Sequence, residues 1–268
     1  MDFCFFSANE MKEGDPVIRK LKFVAVFVAV SCIGADARAE SIAVNFMAEA
    51  WGGGPFPIGA AEEAGYFPQI NWNNTNPISN GTTADVAGPL PGKLVDNAGV
   101  DSGAGIAWFN ANQPVGSDGG NTTPNERLYK GLIEGPAFGP TWPQLTFTVS
   151  DVPYETYDVY AYLVGFGFNA EASARIGGEE YFYTQSSNFT TDGFIRATST
   201  VLEEYPPLAT YALFEDVTGD SFSLEIIKRD GNRGGLGGLQ IVKVPEPGSI
   251  TLLVCGLAAG LIWWRRKR

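Results

Sequence analysis

Alternation with a period of two runs through the middle and end of this 268-residue chain. In TYDVYAYLV, Tyr157, Val159, Ala161 and Leu163 fall on one face of an extended strand, with Asp158, Tyr160 and Tyr162 on the other, because successive strand side chains point to opposite sides. Short runs rich in Val, Ile, Phe, Tyr and Thr at 42–46, 145–149, 157–164, 181–184, 194–198, 210–214, 222–227 and 239–242 predict strands. No window of a dozen residues keeps a helical period; the best candidate, 60–65, is a turn or two at most.

Turns of Gly, Pro, Asn and Asp between such strands predict an all-β fold, an antiparallel β-sandwich of jelly-roll type. An immunoglobulin-like domain is disfavoured, since the chain is too long for one and has no midpoint linker dividing it into two. Gly177-Gly178 reads as a hairpin turn, and Gly234-Gly235 as a turn before the last strand. Residues 50–125 differ, with WGGGPFPIG, NWNNTNPISNG and PLPGKLVDNAGVDSGAG dominated by loop residues. Trp51, Phe56, Tyr66, Phe67, Trp72, Trp108 and Phe109 nevertheless need burial. The prediction is therefore ordered loops that cover a sheet edge or build a binding surface.

The two ends break the pattern. Residues 1–22 carry Lys12, Arg19, Lys20 and Lys22, the apolar run FVAVFVAVSCI follows, and Ala37-Arg38-Ala39 places small residues where a signal peptidase reads them. That order predicts a secretory signal over 1–39, cut between Ala39 and Glu40, with Met11 as an alternative start. At the other end sixteen uncharged residues, 249–264, precede Arg265, Arg266, Lys267 and Arg268. As a helix they cover about 24 Å, a little less than the roughly 30 Å hydrocarbon layer. Trp263 and Trp264 then sit at the interface and the cations stay in the cytoplasm. Between the ends lies an exported domain, 40–243.

Removing the ends sharpens the charge. Nine Lys and Arg and 24 Asp and Glu remain in 40–243, a net of −15 against −12 for the whole chain. Nucleic acid is excluded as a natural partner, since phosphates need a basic face. The three cysteines, Cys4, Cys32 and Cys255, all lie in the terminal segments, so the domain relies on its core. There is no histidine. Ser-His-Asp and Cys-His catalysis and zinc hydrolysis lose their usual residues.

What remains is oxygen chemistry. Two carboxylates suffice for glycoside hydrolysis, but Glu62/Glu63, Glu179/Glu180 and Glu203/Glu204 are adjacent doublets, which on strands face opposite sides. Solvated charge is the better reading, and the expectation is no enzyme and no cofactor. Calcium is the one candidate metal, with Asp96 and Asp101 on a glycine turn, and Asp216 to Asp220 a weaker set. Plain Asx turns compete with it. For glycans the candidates are Trp72 with Asn73, and Trp51 beside three glycines. A tryptophan in a sandwich is more often core.

The residues before the apolar segment carry the most specific signal. In Val244-Pro245-Glu246-Pro247-Gly248-Ser249 two prolines hold the backbone extended and remove donors, so a protease cleft can take it as a strand. VPEPGS, an apolar helix of this length and a terminal RRKR resemble the PEP-CTERM sorting signal. The resemblance covers about the last 25 residues, the segment 244–268. It implies recognition of Pro245, Glu246, Pro247 and Gly248 by an exosortase, a membrane cysteine protease-transpeptidase, with 249–264 as transient anchor and Arg265 to Arg268 as retention signal. It further implies release or transfer to the surface of a Gram-negative cell that makes exopolysaccharide.

FTVSDVPYETYDVYAYLVG, FEDVTGDSFSLEI and GLGGLQIV in that order resemble galactose-binding-like jelly rolls over 125–243. The reading is an exported, surface or matrix protein, non-enzymatic and structural or adhesive, associated with exopolysaccharide. The alternative is a lectin-like module, and behind it a glycoside hydrolase.

Overall fold

The computed structural model describes residues 40–47, 56–75, 88–89, 93–109, 114–116, 122–134, 144–166, 171–185, 189–229 and 233–245. By its internal contacts the chain divides into Met1–Arg38 and Ala39–Arg268, and all described residues belong to the second unit.

The chain order is β1 (Ser41–Asn45), β2 (Asn73–Asn74), β3 (Gly88–Pro89), β4 (Gly105–Phe109), β5 (Pro114–Gly116), helix α1 (Pro124–Leu128), β6 (Gly131–Glu134), β7 (Gln144–Ser150), β8 (Thr156–Phe166), β9 (Glu171–Ile176), β10 (Glu179–Gln185), helix α2 (Phe189–Asp192), β11 (Leu208–Ala209), β12 (Tyr211–Thr218), β13 (Phe222–Lys228) and β14 (Arg233–Lys243). Two sheets result. The first runs β12-β8-β14-β1-β2, with β6 extending the line of β1 along β14 and β5 beside β6; the second runs β11-β10-β9-β13-β7-β4-β3. Most pairs are antiparallel, but β1 with β2 and β10 with β11 are parallel, so the sandwich is mixed and not purely antiparallel.

The inward positions of both sheets make one apolar core: Tyr157, Val159, Ala161 and Leu163 of β8 meet Leu145, Phe147 and Val149 of β7 and Leu224 and Ile226 of β13. The opposite face of β8 is buried as well. Tyr160, Tyr162 and Val164 form a second cluster with Ile58, Ala64, Trp72, Leu128, Tyr129, Phe189 and Tyr211. The segment 56–75, α1 and α2 thus lie over the outer face of the first sheet. Within loop-rich 50–125, segment 56–75 covers a sheet face and Trp72 and Trp108 are buried, but Tyr66 and Phe109, expected to be buried, are exposed because each stands on the solvent side of its element.

Several elements departed from the sequence pattern. Residues 194–198 form no strand; a lone bridge of Arg196 to Tyr211 and another of Ser199 to Phe182 make them a strap between β12 and β10. Residues 60–65 hold turns and a bridge of Ala64 to Gln69. Gly234-Gly235 is strand, not turn. A Cβ on Gly235 would stand 1.9 Å from the Ile133 carbonyl oxygen, and one on Gly237 2.6 Å from that of Leu128, so these glycines let β6 and α1 approach β14. Helix α1 starts on a capping box, Thr123 with Glu126, and a proline in its first turn.

Candidate functional site

The residues singled out for glycan binding serve the fold. Trp72 is buried in the second cluster, and its indole N–H donates to the Gln69 carbonyl at 3.1 Å. It presents no face to a sugar. The Asn73 amide donates to the Ala43 and Val95 carbonyls at 2.9 and 2.8 Å and accepts from the Val95 N–H, so it ties segment 93–95 to β1. Trp51 lies outside the described residues.

The acids tell a similar story. Asp96 accepts from the backbone N–H groups of Ala98 and Val100, and Asp101 from that of Gly103. Both are Asx turns. Among the described residues no three Asp or Glu side chains converge as metal ligands. Glu62 pairs with Arg127 and accepts from the Gly59 N–H. The Arg127 guanidinium, ahead of that backbone bond, holds its carboxyl below the usual range. The Glu179 and Glu180 side chains take different partners, the first the Tyr181 hydroxyl, the second Ser173 and Arg229. They edge an open groove with Gly178, Phe182 and Thr200. Glu203 accepts from the Ser199 hydroxyl.

The residues expected to carry terminal signals fall at the limit of what is described. Ala37, Ala39, Glu246, Pro247, Gly248 and Arg265, Arg266, Lys267 and Arg268 lie outside it, while Pro245 is described and exposed. Among the described residues no helix is long and apolar enough to cross a membrane; segment 249–264 is outside them.

A surface that the sequence did not announce is built on the outer face of the first sheet. Along β8, Tyr162, Tyr160 and Asp158 share this face, and along β12 Tyr211, Leu213 and Glu215 do. Tyr66 lies over them, stacked on Tyr211 with ring centroids 4.7 Å apart and on Tyr160 at 5.9 Å, while Phe194 meets it edge-on. As a residue Tyr66 remains 49% exposed, whereas Tyr160 and Tyr211 are buried.

The backbone that places Tyr66 is tightly specified. Gly65 has φ +96°, and a Cβ there would come within 2.8 Å of the Tyr162 hydroxyl. The Tyr66 N–H donates to that hydroxyl at 2.9 Å, and the hydroxyl donates to the buried Gln240 side chain at 2.6 Å. Gln240 in turn donates to the Phe67 carbonyl and to Gln69. The loop is therefore pinned on both sides of Tyr66.

Beside the tyrosines, the Arg196 guanidinium donates to Glu215 at 2.7 Å, and both are partly exposed. The bond to Glu215 holds Arg196 firmly charged. Asp158 accepts from the Asp216 N–H; burial nevertheless raises its carboxyl, with Asp216 and Glu215 adding to the rise. Burial also raises Tyr160 and Tyr211, the latter helped by hydrogen bonding with Tyr66. An exposed aromatic ring, a fixed guanidinium and two carboxylates thus share one patch. Its only sequence trace is a glycine before an aromatic pair, Gly65-Tyr66-Phe67.

No protein-family model and no curated protein matches the chain. Among solved structures it is similar to a β-glucuronidase 2 of Bacteroides uniformis bound covalently to cyclophellitol-6-carboxylate aziridine, with 15% identity, 76% of this chain, 18% of that one and a TM-score of 0.34. A calcium-binding mutant of that β-glucuronidase 2 gives 16%, 76%, 18% and 0.35. A ruminal GH26 endo-β-1,4-mannanase gives 13% identity, 42% of this chain, 21% of that one and a TM-score of 0.22. The chain spans about a fifth of these proteins' length. Likeness at this level carries no argument about activity.

Proposed function

We propose that this is an exported component of the bacterial cell surface or extracellular matrix, carried across the inner membrane by its N-terminal signal and sorted through the PEP-CTERM segment. Signal peptidase and an exosortase are its processing partners, and 249–264 anchors it in the membrane until the tail is cut. The sandwich, jelly-roll-like and galactose-binding-like in this reading, acts as a non-enzymatic structural or adhesive module beside exopolysaccharide.

The observation that supports this reading most is where the domain begins and ends. β1 and β14 are antiparallel neighbours with Ser41 opposite Val242, on strands about 4.8 Å apart. The Lys243 N–H donates to the Glu40 carbonyl at 2.9 Å, and its ammonium pairs with the Glu40 carboxylate at 3.1 Å. The Val244 N–H donates to Thr156 at 3.0 Å. Pro245 follows at once, exposed and without an N–H to donate. Glu40 and Pro245, the described residues next to the expected signal cut and within the sorting motif, thus sit at the ends of neighbouring strands, which supports processing of an already folded sandwich at both ends.

The test replaces Pro245, Glu246 and Pro247 by alanine in the native host and fractionates the cells. Retention of the variant in the inner membrane, against surface or medium for the parent, is the expected result. Equal surface levels of both would overturn the sorting role.

A further inference from the structure

We propose that Tyr66, with Arg196 and Glu215, forms a subsite for one ring of a neutral polysaccharide. The inference rests on the carbohydrate-associated part of the reading above and is independent of the sorting tail.

A hexopyranose has an apolar C–H face and equatorial hydroxyls at its rim. The first needs a flat aromatic surface, the second needs fixed donors and acceptors. Tyr66 supplies the surface: its ring is propped by Tyr211 and Tyr160, and the residue as a whole stays about half exposed. Its position is set before any ligand arrives, because Gly65 donates to Asn125 at 2.8 Å and Tyr66 to Tyr162. Little side-chain entropy is then lost on binding.

Arg196 and Glu215 supply the rim. The Arg196 backbone is bridged to Tyr211, on which Tyr66 stacks, and the guanidinium lies close enough to Tyr160 and Tyr211 to act on both. Arg196 is committed to Glu215 and to the Tyr181 hydroxyl. A guanidinium has five donors and a carboxylate about four acceptor positions, so both retain capacity for vicinal hydroxyls. As a solvent-exposed ion pair this contact adds at most about 1 kcal/mol to stability. Its geometry is better matched to recognition than to holding the sheet together.

Charge selects the class of sugar. Asp158, Glu215 and Asp216 surround the patch, and the exported part carries −15. Uronate or sulfated chains are repelled, while neutral chains are not. Size argues against a protein partner. One half-exposed tyrosine inside a charged rim is far below the roughly 800 Å² per partner that a stable protein interface buries.

The test uses full-length protein in detergent micelles, with dextran, a mannan and a galactan as neutral probes and alginate as the acidic one. Saturable binding to a neutral probe is expected, weakened about tenfold or more by Tyr66→Ala. Tyr66→Phe keeps the ring and should bind within a few-fold of the parent, and Arg196→Gln should lose several-fold. Tyr205→Ala, at a ring 77% exposed but outside the patch, should change nothing. Unaltered circular dichroism shows that each variant is folded; should Tyr66→Ala not fold, Arg196→Gln and Glu215→Gln decide. Absence of binding to all neutral probes, binding to alginate alone, or equal binding by Tyr66→Ala and the parent would overturn the proposal. None of these results depends on the sorting segment, so the two readings fail separately.

Discussion

The two outer faces of the sandwich have the same strand architecture and opposite chemistry. On the first sheet, β8 turns Tyr160, Tyr162 and Val164 outward, and segment 56–75, α1 and α2 bury them in a second apolar cluster. On the second sheet, the outward positions of β7, β9 and β13 are mostly polar and include Thr146, Thr148, Arg175, Ser223 and Glu225, with Arg175 bonded to Glu225 at 2.6 Å and Thr148 beside Ser223 at 3.5 Å. The apolar residues on that face are few, and among the described residues no second cluster forms there: Phe109 stays exposed, Ile227 is partly buried, and Phe182 is covered by the Arg229 guanidinium 4.5 Å from its ring. The strand residues on the off-core face decide whether loops must fold back, and only where they do is a surface such as that around Tyr66 assembled.

The contrast can be broken from the covered side. Tyr162→Ala removes a fully buried ring and orphans the Tyr66 N–H and Gln240; it should cost roughly 3–5 kcal/mol in chemical denaturation. A loss below about 1 kcal/mol would mean that the second cluster is not a core. Gly65→Ala comes next, at about 1–3 kcal/mol, from its positive φ and the crowding against Tyr162 and Trp72. A thermal melt of that variant matching the parent would remove the strain argument.

Alkaline pH probes the buried tyrosines of both cores. Burial, with Asp220 adding, pushes Tyr157 up to about 12. Tyr129, Tyr162 and Tyr183 are also raised by burial. The folded state holds these protons more tightly than the unfolded chain, so their contribution is intact below pH about 10 and lost as pH rises toward 12. Tyrosinate absorbance and loss of near-ultraviolet dichroism should rise together in that window. Titration at pH 10 with the fold intact would contradict it.

On the uncovered side, Arg175→Ala should cost no more than about 1 kcal/mol, measured by urea midpoint, and less at high salt. Back on the covered face, at its rim, Asp158→Asn should give a small gain. Its carboxyl is raised by burial, so the ionised form costs stability above the ordinary carboxylate range and the cost vanishes as pH falls below about 4. The variant should therefore melt higher than the parent at pH 7 and equally at pH 3. Equal melting at both would show that Asp158 is not desolvated.

Much of the sandwich was legible. Strands with one apolar face, β7 and β13 above all, follow from alternation alone, and the inward set of β8 was visible in TYDVYAYLV. Strand β9, EASARI, was missed because its inward residues are Ala172 and Ala174, small enough to pack beneath the other sheet yet without strand preference. Glycines in RGGLGG looked like turns because close backbone approach by β6 leaves no trace in the local sequence.

The site was less legible. Trp72 attracted notice for its asparagine neighbours, but whether a loop tryptophan faces solvent depends on what it folds against. Tyr66, Arg196 and Glu215 meet only through long-range packing, and no spacing among them could predict it.

The most direct test of the account is the intact mass of the native protein recovered from the cell surface or medium. A chain beginning at Glu40 and ending within a few residues of Pro245, with or without an added surface group on the new C-terminus, is the predicted result. A chain that keeps residues 249–268, found only in the inner membrane, would contradict it.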